Sequence, residues 1–107
     1  MKLSRQPAAA ALIALPFAIS APAFALDGAD LYAEKTCAGC HGRDAKTPIL
    51  PIYPKLAGQS PEYSFNQMMD IASGARANGQ SAAMKGVMGL VSEEEMRAIA
   101  DWLGTLK

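Results

Sequence analysis

Cys37-Ala38-Gly39-Cys40-His41 gathers both cysteines and the only histidine of a 107-residue chain into five consecutive residues. The spacing C-x-x-C-H is the pattern through which a haem is attached covalently. The two thiols add to the two vinyl groups of the ring as thioethers. The histidine beside the second anchor supplies one axial nitrogen to the iron. A chain carrying this motif must wrap its apolar residues around both faces of a flat ring, so the motif constrains the fold as well as the chemistry. Rival uses of the same residues are weaker. A thioredoxin-like C-x-x-C sits near a βαβ pattern, and none is visible. A structural zinc site takes four ligands, and Cys37, Cys40 and His41 are three. A plain disulfide between Cys37 and Cys40 is the remaining alternative.

Compartment follows from the first 25 residues. Lys2 and Arg5 give a basic start, Ala8 to Ile19 an apolar run, and Ala23-Phe24-Ala25 a small-x-small cleavage site. That is the form of a secretory signal peptide. The run is shorter than the about 20 residues that span a membrane. Cleavage after Ala25 predicts a single domain over residues 26–107 in the periplasm. Exported haem proteins of this kind are assembled outside the cytoplasm, and an exported chain can also form disulfides.

A domain of 82 residues buries little surface and commonly needs a staple; a covalently held haem is one. The whole chain carries ten basic and ten acidic side chains, and losing Lys2 and Arg5 leaves eight against ten, a formal charge of −2. Such a balance gives no basic footprint for nucleic acid.

The mature chain reads as three main helices and no strand. Asp27 is a cap for a first helix running from Gly28 into the haem motif, with Leu31 and Tyr32 as its bulky apolar residues. Gly42 to Pro54, with Pro48, Pro51 and Pro54, reads as an extended loop. Ser60-Pro61 starts a second helix that stops at Gly74. Residues 73–91, rich in Gly, Ala, Ser and Met, read as a loop with at most one short turn; a loop that long in so small a domain is a functional one. Ser92-Glu93-Glu94-Glu95 forms a capping box. Met96, Ile99, Ala100, Leu103 and Leu106 then recur at helical spacing.

His41 takes one axial position, and its second ring nitrogen needs an acceptor, for which a carbonyl of the proline-rich loop is at hand. With no second histidine, the soft ligand for the sixth position is a methionine thioether. Met68, Met69 and Met96 fall in helices, where methionine is commonly core filler. Met84 and Met88 lie in the irregular stretch, and local sequence does not separate them. His/Met ligation raises the reduction potential and closes both axial positions, which favours electron transfer over catalysis at iron.

Taken together, the chain resembles a class I c-type cytochrome, of the short bacterial periplasmic mono-haem type and similar to one half of the di-haem periplasmic cytochromes. The resemblance covers residues 27–107. It rests on Cys37-Ala38-Gly39-Cys40-His41-Gly42, Pro54-Lys55-Leu56-Ala57-Gly58-Gln59, Tyr63 with Gln67, Gly74 with Arg76 and Asn78, and Met84 followed by Ser92–Glu95. It implies the all-α cytochrome c fold around one haem c. It implies Met84 as the second axial ligand, with Met88 as the alternative. It implies that the carbonyl of Pro54 accepts from His41, and that Gly28 and Tyr32 meet the last helix near Trp102. The function it implies is single-electron transfer with transient redox partners, a donor dehydrogenase and an acceptor oxidase or reductase, and no enzymatic activity. The alternative is the haem subunit of a periplasmic dehydrogenase that relays electrons from a flavin- or molybdenum-containing partner. A gas-binding or peroxidase-type site would need an open sixth position.

Overall fold

The structure is a computed structural model and describes residues 2–3 and 26–107. The signal peptide expected over residues 1–25 lies almost wholly outside the described residues. Five helices follow in chain order: α1 (Gly28–Glu34), α2 (Cys37–His41), α3 (Pro61–Ser73), α4 (Ser81–Met88) and α5 (Glu93–Thr105). Among the described residues there is no strand.

α1 opens where the side chain of Asp27 accepts from Asp30 N–H at 3.0 Å. It does not run into the haem motif as the sequence suggested. Thr36 takes the left-handed conformation, with φ 69°, and the chain restarts as the one-turn α2. A non-glycine residue there costs on the order of 1 kcal/mol. The break gives the motif its own short helix, separate from α1.

α3 and α5 agree with their sequence signals. The Ser60 hydroxyl accepts from Tyr63 N–H, Pro61 occupies the first turn, and Gly74 ends α3 with φ 86°. At α5 both bonds of the capping box form, Glu95 N–H to Ser92 at 3.2 Å and Ser92 N–H to Glu95 at 2.9 Å. α5 packs on both α1 and α3, and α4 packs on α3.

α4 corrects the reading of residues 73–91 as a loop. Its N-cap, Gln80, makes no side-chain capping bond, and Gly86 lies inside it, so neither end nor middle advertises a helix. Tertiary packing supplies what propensity lacks: Met88 is buried, and Met84 and Val87 pack against the core.

The α1–α5 crossing is close. A Cβ on Gly28 would overlap the Ala98 carbonyl and stand 2.6 Å from Trp102 Cβ, so only glycine fits. The ring of Tyr32 lies 5.0 Å from that of Trp102, tilted by 49°. The Tyr32 hydroxyl donates to the Gly42 carbonyl at 2.5 Å, fastening α1 to the turn behind His41.

A candidate haem site between α2, α3 and α4

α2 brings the motif to the wall of a cavity of about 660 Å³, lined by Cys37, Cys40 and His41 together with Pro54, Met68, Met84 and Met88. Tyr32, Ile71, Ile99 and Leu103, all buried core residues, line it too. The hydrophobic core is therefore built around the cavity.

His41 is buried at 4% exposure. Its Nδ1 lies 2.9 Å from the Pro54 carbonyl oxygen. A carbonyl only accepts, so Nδ1 carries the proton, and the lone pair of the neutral ring falls on Nε2. Nε2 is buried and has no hydrogen-bond partner. A buried nitrogen left this way demands an explanation, and a metal ligand waiting for its ion is one. Cys37 and Cys40 are both free thiols, half-buried and one helical turn apart on α2. Burial, more than the neighbouring Cys40, pushes the Cys37 thiol up. Among the described residues no group of three or more His, Cys, Asp or Glu side chains is placed to hold a metal ion. Two thiols and one lone pair on the wall of a mostly apolar cavity fit a macrocycle that brings its own four nitrogen ligands.

Met84 and Met88 stand one turn apart on α4, and both line the cavity. Met84 is half-buried and Met88 is 2% exposed. Met68 also lines the cavity, from α3, whereas Met96 packs in the core on α5.

Gln67 and Arg76, which the sequence reading used as marks of the resemblance without assigning them a task, form part of the same wall. The Arg76 guanidinium donates to Gln67 Oε1 at 2.9 Å. Among the described residues Lys55 is the other Lys or Arg there, and no carboxylate side chain lines the cavity. The signal for Arg76 was its place just after the Gly74 stop, in a segment read only as loop.

The loop from Gly42 to Pro54 supplies the carbonyl that orients His41. Gly42 has φ 86°, and a Cβ there would stand 2.8 Å from the Thr47 carbonyl carbon. The Asp44 carboxylate accepts from Lys46 N–H and Thr47 N–H, each at 2.9 Å, and these backbone donors hold it below the usual carboxylate range. The fully buried Ala45 accepts through its carbonyl from Leu56 N–H and Ala57 N–H. The loop is thus clamped at both ends.

The family model for cytochrome c matches residues 25–107. The chain belongs to the cytochrome c family. Cytochromes c bind haem c covalently and carry electrons, and this chain is an all-helical member with the motif at Cys37, Cys40 and His41. It is similar to cytochrome c-553 of Nitratidesulfovibrio vulgaris strain Miyazaki F, 37% identical over 93 residues, covering 87% of this chain and 88% of that protein. It is also similar to the thiosulfate dehydrogenase electron acceptor of Stutzerimonas stutzeri, 38% identical over 89 residues, covering 77% of this chain and 40% of that protein. Cytochrome c4 of Pseudomonas aeruginosa is 37% identical over 71 residues, 66% of this chain and 33% of that cytochrome. No helix among the described residues is long and apolar enough to cross a membrane.

Proposed function

We propose that this cytochrome c is a periplasmic mono-haem carrier that moves single electrons between larger redox proteins and catalyses no reaction of its own. Residues 1–25 are its signal peptide and residues 26–107 its one domain. Cys37 and Cys40 would hold the haem through thioethers, and His41, through Nε2, and Met84 would hold its iron. When bound, the haem supplies a one-electron couple at its iron.

The observation that carries this reading is the orphaned Nε2 of His41, buried in the wall of an apolar cavity beside two free thiols. Each chain residue has a definable task. The Pro54 carbonyl fixes the ring orientation and tautomer of His41. Met84, half-buried on α4 and lining the cavity, would keep small molecules from the iron. Tyr32, Ile71, Ile99 and Leu103 exclude water and hold the site at low polarity, which favours a high potential together with the thioether ligand.

The test is optical and uses the intact haem protein. Met84→Ala is expected to remove the methionine–iron absorption band of the oxidised form and to let the reduced form bind carbon monoxide. Survival of the band in Met84→Ala and its loss in Met88→Ala would transfer the role to Met88. Binding of carbon monoxide by the unsubstituted reduced protein would defeat the closed-site reading.

A second reading is favoured by one observation: a relative bears the name thiosulfate dehydrogenase electron acceptor. In that reading the chain serves as the haem subunit of a periplasmic dehydrogenase and relays electrons from a flavin- or molybdenum-containing partner. Purification from its native source with a larger chain bound at fixed stoichiometry supports it, and isolation as a free monomer opposes it.

A further inference from the structure

We infer that Tyr53 is a positioning residue for His41: its ring screens from water the hydrogen bond by which the Pro54 carbonyl holds the imidazole. The inference rests on the haem-carrier reading, in which His41 holds the iron, and adds a residue that governs how firmly His41 itself is held.

The bond from His41 Nδ1–H to the Pro54 carbonyl, 2.9 Å long, sets which ring nitrogen is free for a metal. His41 is buried, yet the bond itself is only part-buried. Water both donates and accepts. A molecule reaching this bond competes with Nδ1–H for the carbonyl and with the carbonyl for the proton. A hydrogen bond kept dry is electrostatically stronger. The carbonyl is placed by other means: Leu56 N–H and Ala57 N–H both donate to the Ala45 carbonyl and clamp the chain just after Pro54. What those clamps do not supply is cover.

Tyr53 is placed to supply it. It directly precedes the acceptor in the chain, so its ring stands beside the edge of His41 that carries the proton. The two ring centroids lie 6.4 Å apart, tilted by 59°. Aromatic rings attract in such tilted arrangements at separations of about 4.5–7 Å. The backbone leaves the ring little room to stray. A residue before proline is confined to extended conformations, and Tyr53 N–H is bonded to the Leu50 carbonyl at 3.1 Å. The chain at His41 is fixed as well. The Gly42 carbonyl accepts from the Tyr32 hydroxyl, and Gly42 N–H donates to the Ala38 carbonyl. Two held segments therefore present the two rings to each other. The Tyr53 hydroxyl takes no part in the His41–Pro54 bond, so the bulk of the ring is what screens it.

Deuterium exchange of the His41 Nδ1–H, followed by proton NMR on the intact reduced haem protein, tests this. Tyr53→Ala is expected to speed the exchange by about two- to tenfold, the range that losing an aromatic pair gives. Tyr53→Phe keeps the ring and is expected to exchange like the unsubstituted protein. Ile52→Ala, a truncation at the neighbouring residue, is expected to leave the exchange unchanged. Exchange in Tyr53→Ala as slow as in the unsubstituted protein overturns the inference. Failure of Tyr53→Phe to restore slow exchange overturns it too, and so does an equal acceleration in Ile52→Ala, because any loosening of the loop then opens the bond. Denaturant unfolding of the same variants guards against a merely structural effect: an acceleration no larger than the loss of global stability also counts against Tyr53. Failure of the carrier reading has a different mark. His41 resonances without the large shifts that a haem ring imposes defeat that reading, whereas shifted resonances with unaltered exchange defeat only the role of Tyr53.

Discussion

Tyr32 on α1 donates its hydroxyl to the carbonyl of Gly42, ten residues on, and so ties the first helix to the turn that follows His41. The bond is buried, and burial before any neighbouring charge pushes the Tyr32 phenol up to about 12. Tyr32→Phe keeps the ring against Trp102 and removes only the bond. The loss of stability is expected to be about 1 kcal/mol, measured by denaturant unfolding of the haem protein. The sign in alkali follows from the raised value. The unfolded phenol ionises near pH 10, so Tyr32 contributes stability fully below that pH and loses it as pH rises toward 12. The Phe variant should show a flatter alkaline limb.

Met84 and Met88 should separate by readout. Met84→Ala is expected to lose the ligand band with a modest loss of packing. Met88, 2% exposed in the core, should behave oppositely. Met88→Ala keeps the band and loses about 2–5 kcal/mol of stability, and Met88→Leu loses less than about 1.5 kcal/mol. Absorption spectra and chemical denaturation on the same preparations check both.

Without the ring, the residues that line the cavity face a void of about 660 Å³. Cys37→Ser with Cys40→Ser, which prevents attachment, is expected to leave a chain with no cooperative melt, because a domain this small has no second core to fall back on. A sharp thermal transition in that variant would contradict the role of the haem as part of the core.

Gly28→Ala forces a methyl into the Ala98 carbonyl and toward Trp102. A loss of about 1–3 kcal/mol is expected, as for overpacking elsewhere. Trp102→Ala added to it should not restore stability, since the carbonyl is backbone and stays. A double-mutant cycle by denaturant unfolding reads this directly.

Acid should weaken the loop that orients His41. Asp44 is held below the usual carboxylate range, first by Lys46 N–H and then by Thr47 N–H. Its contribution is therefore present above the ordinary carboxylate value near 4 and is lost as pH falls through its lowered folded value. Glu95, held down first by Ser92 N–H, behaves alike at the α5 cap. Asp44→Asn should remove part of the acid dependence of the melting temperature between pH 5 and pH 2, and Glu95→Gln added to it should remove more.

Local signals made much of this legible before any coordinates. Ser60-Pro61 with Gly74 bounded α3, and Ser92 with Glu95 opened α5, because caps act within one turn of the chain. α4 escaped notice, although Ser81, Met84 and Met88 fall at helical spacing, because its Gly-rich flanks read as loop and its stability comes from packing on α3. The break at Thr36 escaped too. Nothing in a threonine announces a left-handed backbone; the surroundings impose it.

Within Cys37–His41 the sequence by itself determined the attachment chemistry, since thiol spacing and an adjacent imidazole are covalent facts of the chain. With one histidine in the chain, it also pointed to a methionine thioether as the expected second ligand. Tertiary structure decided the rest. It put the Pro54 carbonyl 2.9 Å from Nδ1 and left Nε2 unpartnered. It set Met84 and Met88 on one helix along the same cavity. Those outcomes depend on contacts between segments far apart in the chain, which only the closed fold brings together.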